Sequence, residues 1–190
     1  MGALLDVLGA LLIGTMLLLM MITFQFQLQD TAQRALYTAS MVDHMDNAAV
    51  KLNGVIALAG IGYPPTSTVV TAAANRLVFN TYWNYDLNMI TPMPVTIEIA
   101  LSSTETGVGK ALTIRQNGEL LNDLGYILWV ESLAFKYYTR LDALTTTASA
   151  VRSAEAWLTF KRDSLTQGGP PLRTRLQVKC FFMNAYMRGA

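Results

Sequence analysis

The chain has 190 residues, enough for one folded domain and a long appended segment. Charged residues make up 14% of it and the formal net charge is +1, so there is no basic field to attract nucleic acid. One cysteine and one histidine exclude an intramolecular disulfide, a cysteine metal cluster and most His-based nucleophile pairs.

Residues 7–24 read VLGALLIGTMLLLMMITF, without charge or proline. As a helix this run is just long enough to cross the hydrocarbon layer of a bilayer. It accounts for much of the 52% hydrophobic content and the mean hydropathy of +0.32. Met16, Met20 and Met21 give it a soft, adaptable surface. The helical rhythm then continues, with no proline between residues 25 and 59. Leu28, Ala35, Val42, Ala49 and Ile56 recur every seven positions, and Met45, Leu52 and Ala59 lie three residues after members of that set. Both sets are expected on one side of a helix. The spacing predicts a single helix from about residue 4 to Gly60, roughly 85 Å long at 1.5 Å per residue. It divides the chain into an apolar segment 1–24, an amphipathic segment 25–60 and a head 61–190. The polar cluster Gln25, Gln27, Gln29, Asp30, Gln33 and Arg34 marks passage to a wetter level, with Phe24, Phe26 and Tyr37 at the boundary. The alanine-rich stripe fits close packing against a sheet or another helix.

The apolar segment has several readings. A secretory signal needs a basic n-region and a small-residue cleavage site, and no Lys or Arg precedes Arg34. A single-pass anchor usually carries basic residues at its cytoplasmic edge, and these are absent too. Asp6 stands near the start of the run. An acid there is costly in lipid and is by default a functional residue, whose natural partner is a free α-amine of its own or a neighbouring chain. The alternative is an ordinary acid at the water edge of a helix N-terminus, favoured by the macrodipole.

Beyond the turn signal at Gly60, Gly62, Pro64 and Pro65 the pattern changes to period two. Residues 69–74 fit a short helix or a strand. Residues 76–82 read as a strand, and 84–94 as a loop because of Asp86, Asn88, Pro92 and Pro94. Val95, Ile97, Ile99 and Leu101 alternate with Thr96, Glu98 and Ala100 as a half-buried strand. Residues 104–109 are a turn. Residues 111–116 pair through Asn117-Gly118 with 119–122, a strong hairpin signal. Strands follow at 130–138, with Leu133, Phe135 and Tyr137 on one face, at 151–161, and at 172–182. A polar loop at 140–147 and a Gly/Pro turn at 167–171 separate them. The amphipathic half-helix is the one long element able to cover such a sheet, so the expected class is α+β.

Catalytic motifs are missing. There is no GxSxG, HExxH or dinucleotide glycine pattern, and Gly107-Val108-Gly109-Lys110 lacks the first half of a P-loop. Cys180 reads as a small core hydrophobe. His44, beside Asp43 and Asp46, reads as part of a solvated helix face rather than a metal site. The chain is expected not to be an enzyme and to need no cofactor or metal.

A short apolar stretch, an acid, an uninterrupted apolar helix, an amphipathic half-helix and a β-rich head together resemble the type IV pilins and pilin-like proteins. Removal of Met1 before Gly2 would put the acid of Gly2-Ala3-Leu4-Leu5-Asp6 fifth, where that family usually has Glu. No charged leader precedes it, which implies a chain already processed or made without one. The head order, with residues 75–79 after the helix and 130–138 leading to two closing strands, is similar to minor pilins and pseudopilins. The resemblance implies a filament subunit that polymerises with itself through its N-terminal helix. Met1, Gly2, Asp6, Gly9 and Gly14 would lie in the filament core. It implies residence in the cytoplasmic membrane before assembly, dependence on an assembly platform and ATPase, and a final place outside the cell. Two alternatives stand beside it: a minor pilin or secretion pseudopilin, and a single-pass anchored binding module.

Overall fold

The computed structural model describes residues 2–107, 109–121, 126–163 and 171–188. The fold is α+β, a long N-terminal helix on an antiparallel head, as the alternating periodicities require. Helix α1 runs Gly2–Ala57 as one unbroken element of 56 residues. It ends where two glycines adopt positive φ, Gly60 at 75° and Gly62 at 78°. Gly60 also admits a close approach, because a Cβ there would come within 2.6 Å of Thr68 Oγ1.

Among the described residues nine strands form two sheets. Strands β1 (Val69–Ala73), β2 (Arg76–Asn84), β3 (Met89–Thr106), β4 (Gly109–Gln116) and β5 (Glu119–Leu120) form an antiparallel meander, and β6 (Tyr126–Val130) also pairs with β4. The uncommitted segment after the helix is therefore a strand. Strands β7 (Ser132–Tyr138), β8 (Ser153–Arg162) and β9 (Leu172–Phe181) form the second sheet. A six-residue helix α2 (Met183–Arg188) follows.

Three expectations need correction. The loop expected at 84–94 is largely strand, with Asn84 opposite Met89 and Trp83 opposite Ile90. The next pair is Thr81 with Val95, so residues 91–94 bulge opposite Tyr82 alone. Pro92 and Pro94 sit in that bulge, where ladder donors are not needed. Asn84 Oδ1 accepts from the backbone N–H of Asp86 and Leu87 and closes the turn. The single strand expected at 130–138 is two strands in two sheets. It breaks at Glu131, whose N–H donates to the Thr159 carbonyl at 2.7 Å. The Asn117-Gly118 turn has φ of 53° and 90°, the double positive φ its dipeptide favours. Asn122 and most of the turn at 167–171 lie outside the described residues.

The third correction concerns the helix. Its buried seam is Met41, Ala48, Leu52, Val55 and Ala59, with Met45 half-buried, at alternating steps of three and four. The expected set Met45, Leu52 and Ala59 lies in this seam, while the seven-residue line runs along its flank, with Ala49 half-buried. Leu28 and Ala35 precede the stretch that meets the head, which begins near Tyr37. Leu28, Ala35 and Val42 are exposed, and the line enters the core only at Ile56.

The core joins the helix seam to both sheets through Leu77, Phe79, Ile97, Ile99, Leu112 and Ile114 of the first and Phe135, Ala156, Leu158 and Cys180 of the second. The sheets are tied by the Tyr137 hydroxyl, 2.7 Å from the Ala73 carbonyl and 3.0 Å from that of Arg76. The chain's last elements close on its first. Thr174 Oγ1 donates to Met41 Sδ at 3.5 Å, Asn184 Nδ2 donates to the Ala59 carbonyl at 3.1 Å, and Phe182 meets Phe79 edge-on.

Candidate assembly surface

Residues 7–24 pack against no other element among the described residues. Every large apolar side chain of that run stands 40–69% exposed. Contact with the head begins near Tyr37, whose ring lies 5.3 Å from the Arg162 guanidinium carbon. The preceding residues of α1, 2–36, form a free rod about 53 Å long. It is apolar and long enough to cross a membrane.

The residues expected in a filament core lie along this rod, except Met1, which is outside the described residues. At 100° per residue, Gly2, Asp6 and Gly9 fall within about 60° of one another, and Gly14 lies about 80° round from Asp6. Gly9 and Gly14 leave open space where a Cβ would stand. A shallow groove runs past Gly14, lined also by Leu11, Thr15, Leu18 and Leu19. Its small residues between leucines suit close approach of another helix. Thr15 and Thr23 turn their hydroxyls back onto the Leu12 and Leu19 carbonyls, so neither offers an unsatisfied group to an apolar partner.

The uncovered surface does not stop at one bilayer span. Phe26, Leu28 and Leu36, ahead of the seam that docks the head, and Val50 beside it remain exposed. Asp30 and Arg34 pair one turn apart at 2.9 Å and neutralise the polar stretch between. The helix therefore carries a seam filled by its own head and an apolar surface that nothing among the described residues fills. Sequence reasoning placed the line Leu28, Ala35, Val42, Ala49 and Ile56 on the same side as the seam residues Met45, Leu52 and Ala59.

The remaining candidates have structural explanations. Cys180 is fully buried, and burial pushes its thiol up to about 12. His44, Asp43 and Asp46 are exposed, and no cluster of three or more metal-ligating side chains occurs among the described residues. Tyr85, missed as a structural residue, donates its hydroxyl to the Val55 carbonyl at 2.6 Å and fastens the β2–β3 hairpin to the helix. Comparison of the chain with protein-family models, curated proteins and solved structures yields no match; the architecture, a free apolar rod attached to a two-sheet head, is compatible with that of pilins.

Proposed function

We propose that the chain is the structural subunit of a pilus-like extracellular filament, held in the membrane by its apolar helix until assembly. One observation carries the reading: the exposed apolar surface of α1 continues through Leu28, Leu36 and Val42, well past the roughly 20 residues an anchor needs. A helix that only crosses a bilayer has no use for the second stretch. A helix packed among copies of itself does, because lipid contacts along the first stretch and water contacts along the second are both exchanged for protein contacts. Asp6 in a dry core of such helices is costly unless paired, so it takes the α-amine of a neighbouring subunit and sets the axial register. Polymerisation through the helix leaves the head as the outer wall. An assembly platform and ATPase would supply the work of extraction.

The test is electron microscopy and mass spectrometry of material sheared from cells making the wild type or Asp6→Ala. The expected result is thin filaments built chiefly of this chain, lost in the variant while the protein stays in the membrane fraction. Normal filaments from Asp6→Ala would sink the register mechanism. Filaments holding only traces of the chain would point to a minor subunit, and recovery from membranes alone to an anchored binding module.

A further inference from the structure

The outer face of the β7–β8–β9 sheet, opposite the core, carries three cross-strand rows. They are Ser132–Thr159–Arg175, Ala134–Trp157–Gln177 and Lys136–Glu155–Lys179. Adjacent rows are about 7 Å apart, two residues along each strand. In the middle row a methyl stands beside an indole. That step leaves an open hollow of about 290 Å³ bounded by Ser132, Ala134, Lys136, Trp157, Thr159 and Arg175.

The charges around it are unevenly satisfied. Glu155 is buried and accepts from the Tyr138 hydroxyl at 2.6 Å and from the Gln177 amide, which hold its carboxyl below the usual carboxylate range. Glu131 is gripped by Arg173 at 2.9 Å, and Asp142 by Lys179 at 2.7 Å. Lys136 lies 5.1 Å over the Trp157 ring. Lys136 faces the Glu155 carboxylate across the strands and helps hold it ionised, whereas Arg175 has no ion pair among the described residues, and the Ser132 and Thr159 hydroxyls have no hydrogen bond there. The hollow thus presents one unpaired cation, Arg175, a second, Lys136, shared with Glu155, two free hydroxyls and an apolar floor.

A bare phosphate would leave that floor unused. A nucleobase would need the indole face that Lys136 covers. A sugar ring bearing a carboxylate uses every group: the Arg175 fork takes the carboxylate, the hydroxyls and Lys136 take ring oxygens, and the apolar side of the ring lies over Ala134 against the indole edge. We propose that this hollow binds one uronic acid unit of an acidic saccharide. The inference goes beyond the filament reading and does not depend on it.

The full chain in detergent micelles is titrated calorimetrically with a disaccharide of glucuronate and N-acetylglucosamine, with its neutral methyl ester, and with inorganic phosphate. The expected result is saturable binding of the acid and at least tenfold weaker binding of the ester and of phosphate. Arg175→Gln and the hollow-filling Ala134→Leu, both at exposed strand positions, should each lose tenfold or more, while Arg173→Gln outside the hollow should not. No saturable binding of the acid would overturn the proposal. So would an equal loss in Arg173→Gln, which means general charge, or equally tight phosphate, which means a simple anion site.

Discussion

Leu52→Ala tests which face of the helix holds the head. Leu52 is fully buried in the seam, and the substitution removes three carbons. At about 0.8 kcal/mol per buried methylene the transfer loss is about 2.4 kcal/mol. The residual cavity brings the total to roughly 3 kcal/mol or more, because sheets on two sides limit collapse. The comparison is Val42→Ala, on the seven-residue line ten positions earlier. Val42 is 46% exposed, and alanine is the better helix former, so the expected change is within about 0.5 kcal/mol of zero. The assay is urea unfolding of the full chain in micelles, read by near-ultraviolet signals of Trp83, Trp129 and Trp157, all in the head. They ignore the micelle-bound rod. The docking geometry would be refuted by a Leu52→Ala loss under about 1 kcal/mol, or by a larger loss in Val42→Ala.

The helix-ending turn makes a second pair. Gly60→Ala forces a positive φ on a side chain and drives its Cβ toward Thr68, so it should cost about 1–3 kcal/mol by the same unfolding assay. Gly54→Ala, which meets nothing within 4 Å on an exposed helix position, should gain up to about 1 kcal/mol. Tyr85→Phe deletes the hydrogen bond to Val55 and should cost about 1 kcal/mol, with faster amide exchange confined to the β2–β3 hairpin. Cys180 should resist iodoacetamide until the head unfolds. Its folded thiol titrates at about 12 and an unfolded thiol at 9.0, so the folded state holds the proton over that interval. Stability should fall as pH rises above the unfolded value, by up to about 1.4 kcal/mol per pH unit from this thiol. Cys180→Ala should flatten the slope, and an unchanged slope would place the alkaline sensitivity elsewhere.

Helical spacing and the lack of proline together made the helix legible, since no other element tolerates some fifty residues without a proline or a turn cluster. The docking face was legible in part: Met45, Leu52, Ile56 and Ala59 stood out by spacing, whereas Met41, Ala48 and Val55 did not, because the phase of the contact is set by the head. The loop expected at 84–94 came from treating two prolines as a break, when a bulge can absorb both. The sheet switch at Glu131 did leave a trace. Val130 falls out of parity with Leu133, Phe135 and Tyr137, although all four are buried, and a continuous strand cannot bury both parities on one face. Helix α2 is too short for a periodic signal. The hollow on the outer sheet depends on register, which places Ala134 beside Trp157, and register is invisible before the strands are paired.

The contacts between the two ends of the chain also set a timetable. Met41 meets Thr174 across 133 residues of sequence, and Ala59 meets Asn184 across 125. A ribosome finishes the helix first and makes the strand that covers its seam last, which at 5–20 residues per second is roughly ten seconds or so later. Through that interval Leu52 and Val55 wait without the layer that seals them, while the apolar rod is already free to enter a bilayer. Membrane entry can therefore precede completion of the head, and a nascent chain halted before β9 would be fully anchored but unfinished.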